Sequence, residues 1–284
     1  MASLKIIRKR IGSVRNTQQI TKAMKMVSAA KLRRAQDAVS ESRAYAEKLG
    51  EVMAGLATES GLREHPLVRE RAPESKVLLL LLTGDRGLCG GFNTNLIRLS
   101  QTFIAEDGRD AELGLIGRKG HDFYKRRDVT IAEQFAGPSA GPSIDLARDI
   151  VARAVARFES EDFDAVYLLY TKFESALTQV PTLERLLPIA TPEAPESGRE
   201  YLYEPNRQLV IDDLLPRYVE VKVFQAVLNS IASEHGARMT AMESATRNAS
   251  EMIDRLTLEM NRARQATITK ELMEIVGGAE ALKG

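Results

Sequence analysis

Leu4-Lys5-Ile6-Ile7-Arg8-Lys9-Arg10-Ile11-Gly12-Ser13-Val14 opens a stretch in which apolar residues recur three and four positions apart. The spacing continues without a skip through Gln18, Thr21, Lys25, Ser28, Leu32, Ala35, Val39, Ser42, Ala46, Leu49, Met53 and Leu56. Eleven of the sixteen positions from Leu4 to Leu56 are apolar. A period of about 3.5 residues held this long predicts a left-handed coiled coil, because supercoiling is what keeps such a seam against a partner. No Gly or Pro falls between Ser13 and Leu49, so one unbroken helix is expected, roughly 80 Å long at about 1.5 Å per residue.

The other end of the chain carries a second seam. It reads Val221, Phe224, Leu228, Ile231, His235, Arg238, Met242, Ala245, Ala249, Met252, Leu256, Glu259, Ala263 and Ala266, with Gly236 the one breaker between Pro216 and Gly277. Two seams at opposite ends of one chain pair most simply with each other, antiparallel. Their alanines allow the backbones to approach closely.

Between them the period changes. Val77–Leu82 reads as a buried strand, and Glu112–Ile116 and Ala165–Tyr170 as two more. Thr94–Ala105, Lys119–Arg126 and Ser143–Phe158 read as helices, with Ser143 a natural N-cap. This alternation predicts a parallel α/β sheet of Rossmann type. The expected fold class is therefore mixed α and β: coiled-coil helices at 1–58 and 208–284 around a small α/β domain at 76–190. Linkers are expected at Glu59–Ser75 and Thr191–Arg199, where Pro, Gly and charge cluster.

Composition agrees with narrow seams rather than one large core: 28% of the 284 residues are charged, 5% are aromatic, and there is no Trp. The net charge is only +1, yet residues 1–36 hold ten Lys or Arg and no carboxylate before Asp37. Such a block marks an anionic partner or a solvated helix face. A nucleic-acid-binding coiled coil is one reading, weakened by the lack of any aromatic before Tyr45 on which bases would stack. Cys89 is the only cysteine, which excludes an intrachain disulfide and fits a reducing compartment. The longest apolar run, Val77–Leu82, is far short of the ~20 residues of a membrane span. Met1–Lys5 starts no signal-peptide core. Work at a membrane would need partners.

The segment Gly84-Asp85-Arg86-Gly87-Leu88-Cys89-Gly90-Gly91-Phe92-Asn93 joins a strand to a helix, where phosphate-cradling loops are found. It lacks a Gly-Lys-Ser/Thr ending and the dinucleotide glycine spacing, so a tight turn competes with a small nucleotide-binding enzyme. Cys89 at that position is a reactive thiol or a buried one. His65, His121 and His235 are far apart in sequence and show no metal-ligand spacing. Beside the polar seam positions Gln18, Thr21, Lys25 and Ser28 runs a second apolar stripe, Ile20, Met24 and Val27. It either packs inward or turns the contact face toward something outside the pair.

The run Asn16-Thr17-Gln18-Gln19-Ile20-Thr21-Lys22-Ala23-Met24-Lys25-Met26-Val27-Ser28-Ala29-Ala30-Lys31-Leu32 resembles the N-terminal signature of ATP synthase gamma subunits. Ala263-Arg264-Gln265-Ala266-Thr267-Ile268-Thr269-Lys270-Glu271-Leu272, followed by Glu274 to Ala279, resembles their C-terminal signature. The Gly84–Asn93 segment resembles the family's central loop, and Tyr201-Leu202-Tyr203-Glu204-Pro205 its foot. The resemblance implies a non-catalytic rotor subunit without cofactor or metal, coupling ion-driven rotation to ATP chemistry in other subunits. It implies alpha, beta and epsilon subunits and the membrane c-ring as partners, and a peripheral place on the cytoplasmic side of a bacterial inner membrane. Met24, Arg264, Gln265 and Thr269 would meet the beta subunits; Tyr203 and Glu204 would meet the ring and epsilon. The cysteine-bearing insertion of chloroplast relatives is absent.

Overall fold

The structure, a computed structural model, describes residues 4–56, 62–106, 109–138, 141, 143–190, 204 and 206–281. Two helices dominate it, α1 (Leu4–Leu56) and α5 (Arg207–Ala281). Between them come β1 (Lys76–Leu82), α2 (Phe92–Ile104), β2 (Asp110–Ile116), α3 (Arg118–Tyr124), β3 (Ile131–Phe135), α4 (Ile144–Glu159), β4 (Ala165–Phe173) and β5 (Gln179–Leu187). The chain divides into two compact units, Met1–Val27 with Met239–Gly284, and Ser28–Arg238.

In the first unit the helices pair antiparallel. Ile7 and Ile11 bury against Leu256, with Val14, Ile253, Met260 and Ala263 closing the cluster. Further along, the Thr21 and Thr246 hydroxyls meet at 2.8 Å, and Lys25 Nζ donates to Glu243 Oε1 at 2.7 Å. Partners thus advance on α1 as they retreat on α5. Every expected α1 seam position is buried or half-buried, including polar Thr21. On α5 the seam past Met242 differs from expectation by one residue. Ile253 and Met260 face inward where Met252 and Glu259 were expected, Ala245 shares its half-buried place with Thr246, and Ala266 is exposed, while Ala249, Leu256 and Ala263 hold. Thr246 tolerates the seam because its hydroxyl also donates to the Met242 carbonyl at 2.7 Å.

The second unit is built on a five-stranded sheet in the order β3-β2-β1-β4-β5. β1 pairs parallel with both β2 and β4, and β2 with β3; β5 closes the β4 edge antiparallel. The sheet is therefore mixed, with β3 and β5 added as edge strands to the three expected. Pro181 is compatible with the edge position of β5, where no second neighbour needs its missing N–H. Val77, Leu79 and Leu81 pack with Leu113, Leu115, Leu96 and Phe103 in one core. Ser143 caps α4 as expected, accepting from Leu146 N.

The stretch 62–75 is not a solvated linker. Leu62, Leu67 and Val68 are buried, Ile189 N donates to the Leu67 carbonyl at 2.7 Å, and Arg71 stacks 4.0 Å from the Phe158 ring centre. In this unit α5 is embedded rather than narrow-seamed: Val219, Val223, Ala226, Val227, Ile231 and Ser233 are all buried. The helix passes through Pro216. A Cβ on buried Gly236 would stand 3.3 Å from the Phe173 ring, so the missing side chain gives the closeness that this crossing needs.

Candidate functional site

Four of the six residues singled out for partner contact lie on the long helices. Met24 is half-buried on α1, between Ile20 and Val27, which are 60% and 57% exposed. The inward-packing reading of that stripe therefore fails for its two flanking members. The seam itself does not rotate, since Thr21 and Ser28 stay buried; α1 carries a second, outward apolar strip beside it. Lys25, next to Met24, is engaged by Glu243, whose carboxyl its hydrogen bond holds below the ordinary range. The positive surroundings of Met24 are thus partly neutralised within the pair.

Arg264, Gln265 and Thr269 are exposed on α5, beyond the Leu256–Ala263 cluster. At 3.6 residues per turn, Ile275, Ile268, Leu272, Gln265 and Val276 project into an arc of about 140° bounded by Arg264 and Thr269. Ile268, Leu272, Ile275 and Val276 are all exposed. Extended onward from Ala263, the seam would read Thr267, Lys270, Glu274 and Gly277, which is polar, and Lys270 and Glu274 pair there at 3.6 Å. The apolar stripe of the tip therefore faces away from the α1 side. No element among the described residues covers it. An apolar arc edged by a guanidinium and a hydroxyl, with one amide within it, is suited to a protein surface that offers apolar contact together with acceptors.

Glu204 is exposed, and Tyr203 lies outside the described residues. The structure brings Met24 and the Arg264–Thr269 group to one unit, but not to one contact.

The Gly84–Asn93 loop is closed by its own contacts. Gly84 N donates to Asn93 Oδ1 at 2.9 Å, and Asp85 Oδ1 accepts from Arg118 N at 3.0 Å. Cys89 is buried, with Asn93 Nδ2 3.2 Å from its sulfur, and burial pushes the thiol above its usual range. Its bonds go to Asn93 and the Arg86 carbonyl rather than to a histidine, so a buried thiol is the reading that geometry supports.

Arg238, expected only as a seam position, and Glu234, not singled out from the sequence, hold this loop to α5. Arg238 donates to Glu234 at 2.6 Å and to the Gly87 carbonyl at 3.3 Å. Its side chain is 9% exposed and that of Glu234 14%. A Cβ on Gly84 would meet the Glu234 carboxylate at 3.0 Å. A phosphate at this strand end would encounter two carboxylates, Asp85 and Glu234, and a spoken-for amide. The tight-turn reading wins over the nucleotide cradle. Beside Arg238, burial and the nearby Arg238 and Lys31 charges push the His235 imidazole down to about 4. An Arg four residues from a Glu in an apolar stretch was the signal available for this clamp.

Among the described residues no group of His, Cys, Asp and Glu could hold a metal ion. No described helix is long and apolar enough to cross a membrane.

A family model described as ATP synthase matches residues 3–282. The ATP synthase gamma chain of Desulfitobacterium hafniense is 51% identical over 283 residues, and that of Moorella thermoacetica 50%; in both, all of each chain is covered. A chain of the Tetrahymena thermophila mitochondrial ATP synthase central stalk and c-ring structure aligns with a TM-score of 0.63 at 26% identity, covering 80% of this chain and 99% of that one. A chain from the Euglena gracilis mitochondrial ATP synthase aligns with a TM-score of 0.68 over 98% of this chain and 94% of its own; at 18% identity that likeness shows the fold alone. A family model over nearly the whole chain and full-length relatives at half identity show that the chain belongs to the ATP synthase gamma chain family.

Proposed function

We propose that the chain is the rotating central stalk of a bacterial ATP synthase, transmitting torque between the membrane c-ring and catalytic sites carried by beta subunits at their borders with alpha. The observation that carries this reading is full-length identity of about half to bacterial gamma chains. The outward apolar arc of α5, bounded by Arg264 and Thr269, supports it. Such an arc needs a host, and a lone helical tip is marginal in water without one. The host is the ring of three alpha and three beta subunits, with Arg264, Gln265 and Thr269 on one beta subunit at a time. Met24, within its exposed strip, faces the beta subunits lower down, and Tyr203 and Glu204 serve the foot against epsilon and the c-ring.

Segments 1–58 and 208–284 act as the shaft and 76–190 as the side domain. The protein is peripheral, carried by its partners on the cytoplasmic side of the cell membrane. A shaft works by breaking symmetry. Identical subunits in a ring relax to equivalence, and one asymmetric helix pair in the bore contacts each differently. Switching a site from 1:99 to 99:1 takes about 5.5 kcal/mol of differential contact. Apolar burial at the tip plus a few desolvated hydrogen bonds reaches that scale.

The test is copurification from a tagged chain followed by ATP-driven ion pumping in membrane vesicles. Alpha, beta, epsilon and c subunits should appear together, and depletion of the chain should uncouple pumping from hydrolysis. Purification of the tagged chain without alpha and beta would refute the proposal.

A further inference from the structure

Thr171 on β4 is 2% exposed, and its Oγ1 is buried without a hydrogen-bond partner. A buried hydroxyl left dry costs on the order of 1–3 kcal/mol, so native folds rarely keep one. Thr171 lines a cavity of about 70 Å³ together with Asn95, Gln179, Phe92, Pro181 and Ala237. We infer that this cavity is a built hydration site, holding ordered water that joins α2, β4 and β5 beneath α5.

The local chemistry leaves the right groups free. Pro181, opposite Thr171, has no N–H, and the Thr171 carbonyl accepts instead from Ser233 Oγ at 3.1 Å. Gln179 commits its Nε2 to the Ser175 and Ala176 carbonyls at 3.0 and 2.8 Å, which leaves Oε1 as an acceptor. Asn95 Oδ1 accepts from Arg98 at 3.5 Å, which leaves Nδ2 as a donor. The buried Thr171 hydroxyl at the base, with the half-buried Gln179 amide and the exposed Asn95 amide at the solvent-facing mouth, makes about three partners, the usual number for an ordered internal water. The volume exceeds the ~10–15 Å³ that one water needs and falls far below the ~300 Å³ of a small-molecule site. No carboxylate lines it, so a tightly held cation is not the occupant.

The test uses the full chain, with thermal unfolding of Thr171→Val and Thr171→Ser and crystals of the parent under xenon pressure. Serine keeps the hydroxyl and should melt within about 1 °C of the parent. Valine removes it and should melt roughly 2–4 °C lower, because the water loses its one fully buried anchor. Density for water within hydrogen-bond reach of Thr171 Oγ1, with no xenon in the cavity, completes the expected result. A valine variant as stable as the parent or more so, serine falling as far as valine, or xenon entering the cavity would each overturn the inference.

Discussion

Replacing Arg238 by Met removes the cation that ties α5 to the Gly84–Asn93 loop while keeping a long, helix-compatible side chain. Arg238 and Glu234 are nearly buried and 2.6 Å apart. Removing one member of such a pair leaves the other charge without compensation, at about 3–5 kcal/mol. The lost donor to the Gly87 carbonyl is part of the same clamp and is counted within that range. Guanidinium unfolding of the full chain should show the midpoint moving down accordingly. A second replacement, Glu234→Met, removes the stranded carboxylate and should recover more than half of the loss, because two apolar partners need no desolvated charge. The single variant should also raise the apparent pKa of His235, whose imidazole loses a neighbouring cation. A loss under about 1 kcal/mol in Arg238→Met, or a double variant less stable than the single, would show that the pair contributes packing rather than charge.

Met24→Lys places a second ammonium beside a lysine already paired to Glu243. Hydrolysis by the assembled complex should persist while the ratio of ion pumping to ATPase activity falls, and an unchanged ratio would remove Met24 from the coupling surface. Leu272→Asp puts a charge in the centre of the exposed arc of α5; the isolated chain should melt within about 1 °C of the parent, whereas recovery of alpha and beta in a pull-down should drop several-fold. Cys89→Ala should leave ATPase activity of the complex near the parent value, since the sulfur is buried in the core and its hydrogen-bond contacts are Asn93 and a backbone carbonyl. His235 has its folded pKa lowered from 6.5 to about 4, so the unfolded chain binds more protons across that window. Its contribution is complete above pH 6.5 and is lost as pH falls toward 4, by roughly 2 kcal/mol after allowing for partial exposure. His235→Asn should flatten that part of the stability profile relative to the parent, and identical slopes would refute it.

The long helices were legible because a 3–4 spacing repeated over many turns leaves one frame that buries most apolar residues. On α1 that frame survived four polar positions in succession, since Thr21 finds Thr246 and Lys25 finds Glu243. On α5 adjacent apolar residues such as Met252 and Ile253 allow two frames, and the seam took the second. The edge strands were hidden for another reason. β3 alternates weakly, and β5 mixes Pro181 with Glu184 and Arg185, whose charges are met by Tyr170 and Glu74 only after folding. Leu62, Leu67 and Val68 sat among prolines and charges that suggested a linker, yet their burial depends on contacts distant in sequence. At the candidate site, the spacing of Ile268, Leu272 and Ile275 was readable, but that it faces away from the seam required knowing which side α1 occupies. The Arg238 clamp joins residues 151 positions apart and had no local signature beyond an i,i+4 pair.

The two apolar stripes of α5 belong to one continuous helix, so the choice of seam residues is also a choice of compass bearing. Placing Met252 and Glu259 inward instead of Ile253 and Met260 would turn the helix by about 100° about its own axis. Arg264 and Thr269 would turn with it. In a threefold ring that is nearly the angle from one beta subunit to the next. With Arg264 and Thr269 facing the beta subunits as proposed, interdigitation at Ile7, Ile11 and Leu256 would set the phase of the motor as well as holding the pair together, and a repacked seam that assembled normally would run with its timing displaced.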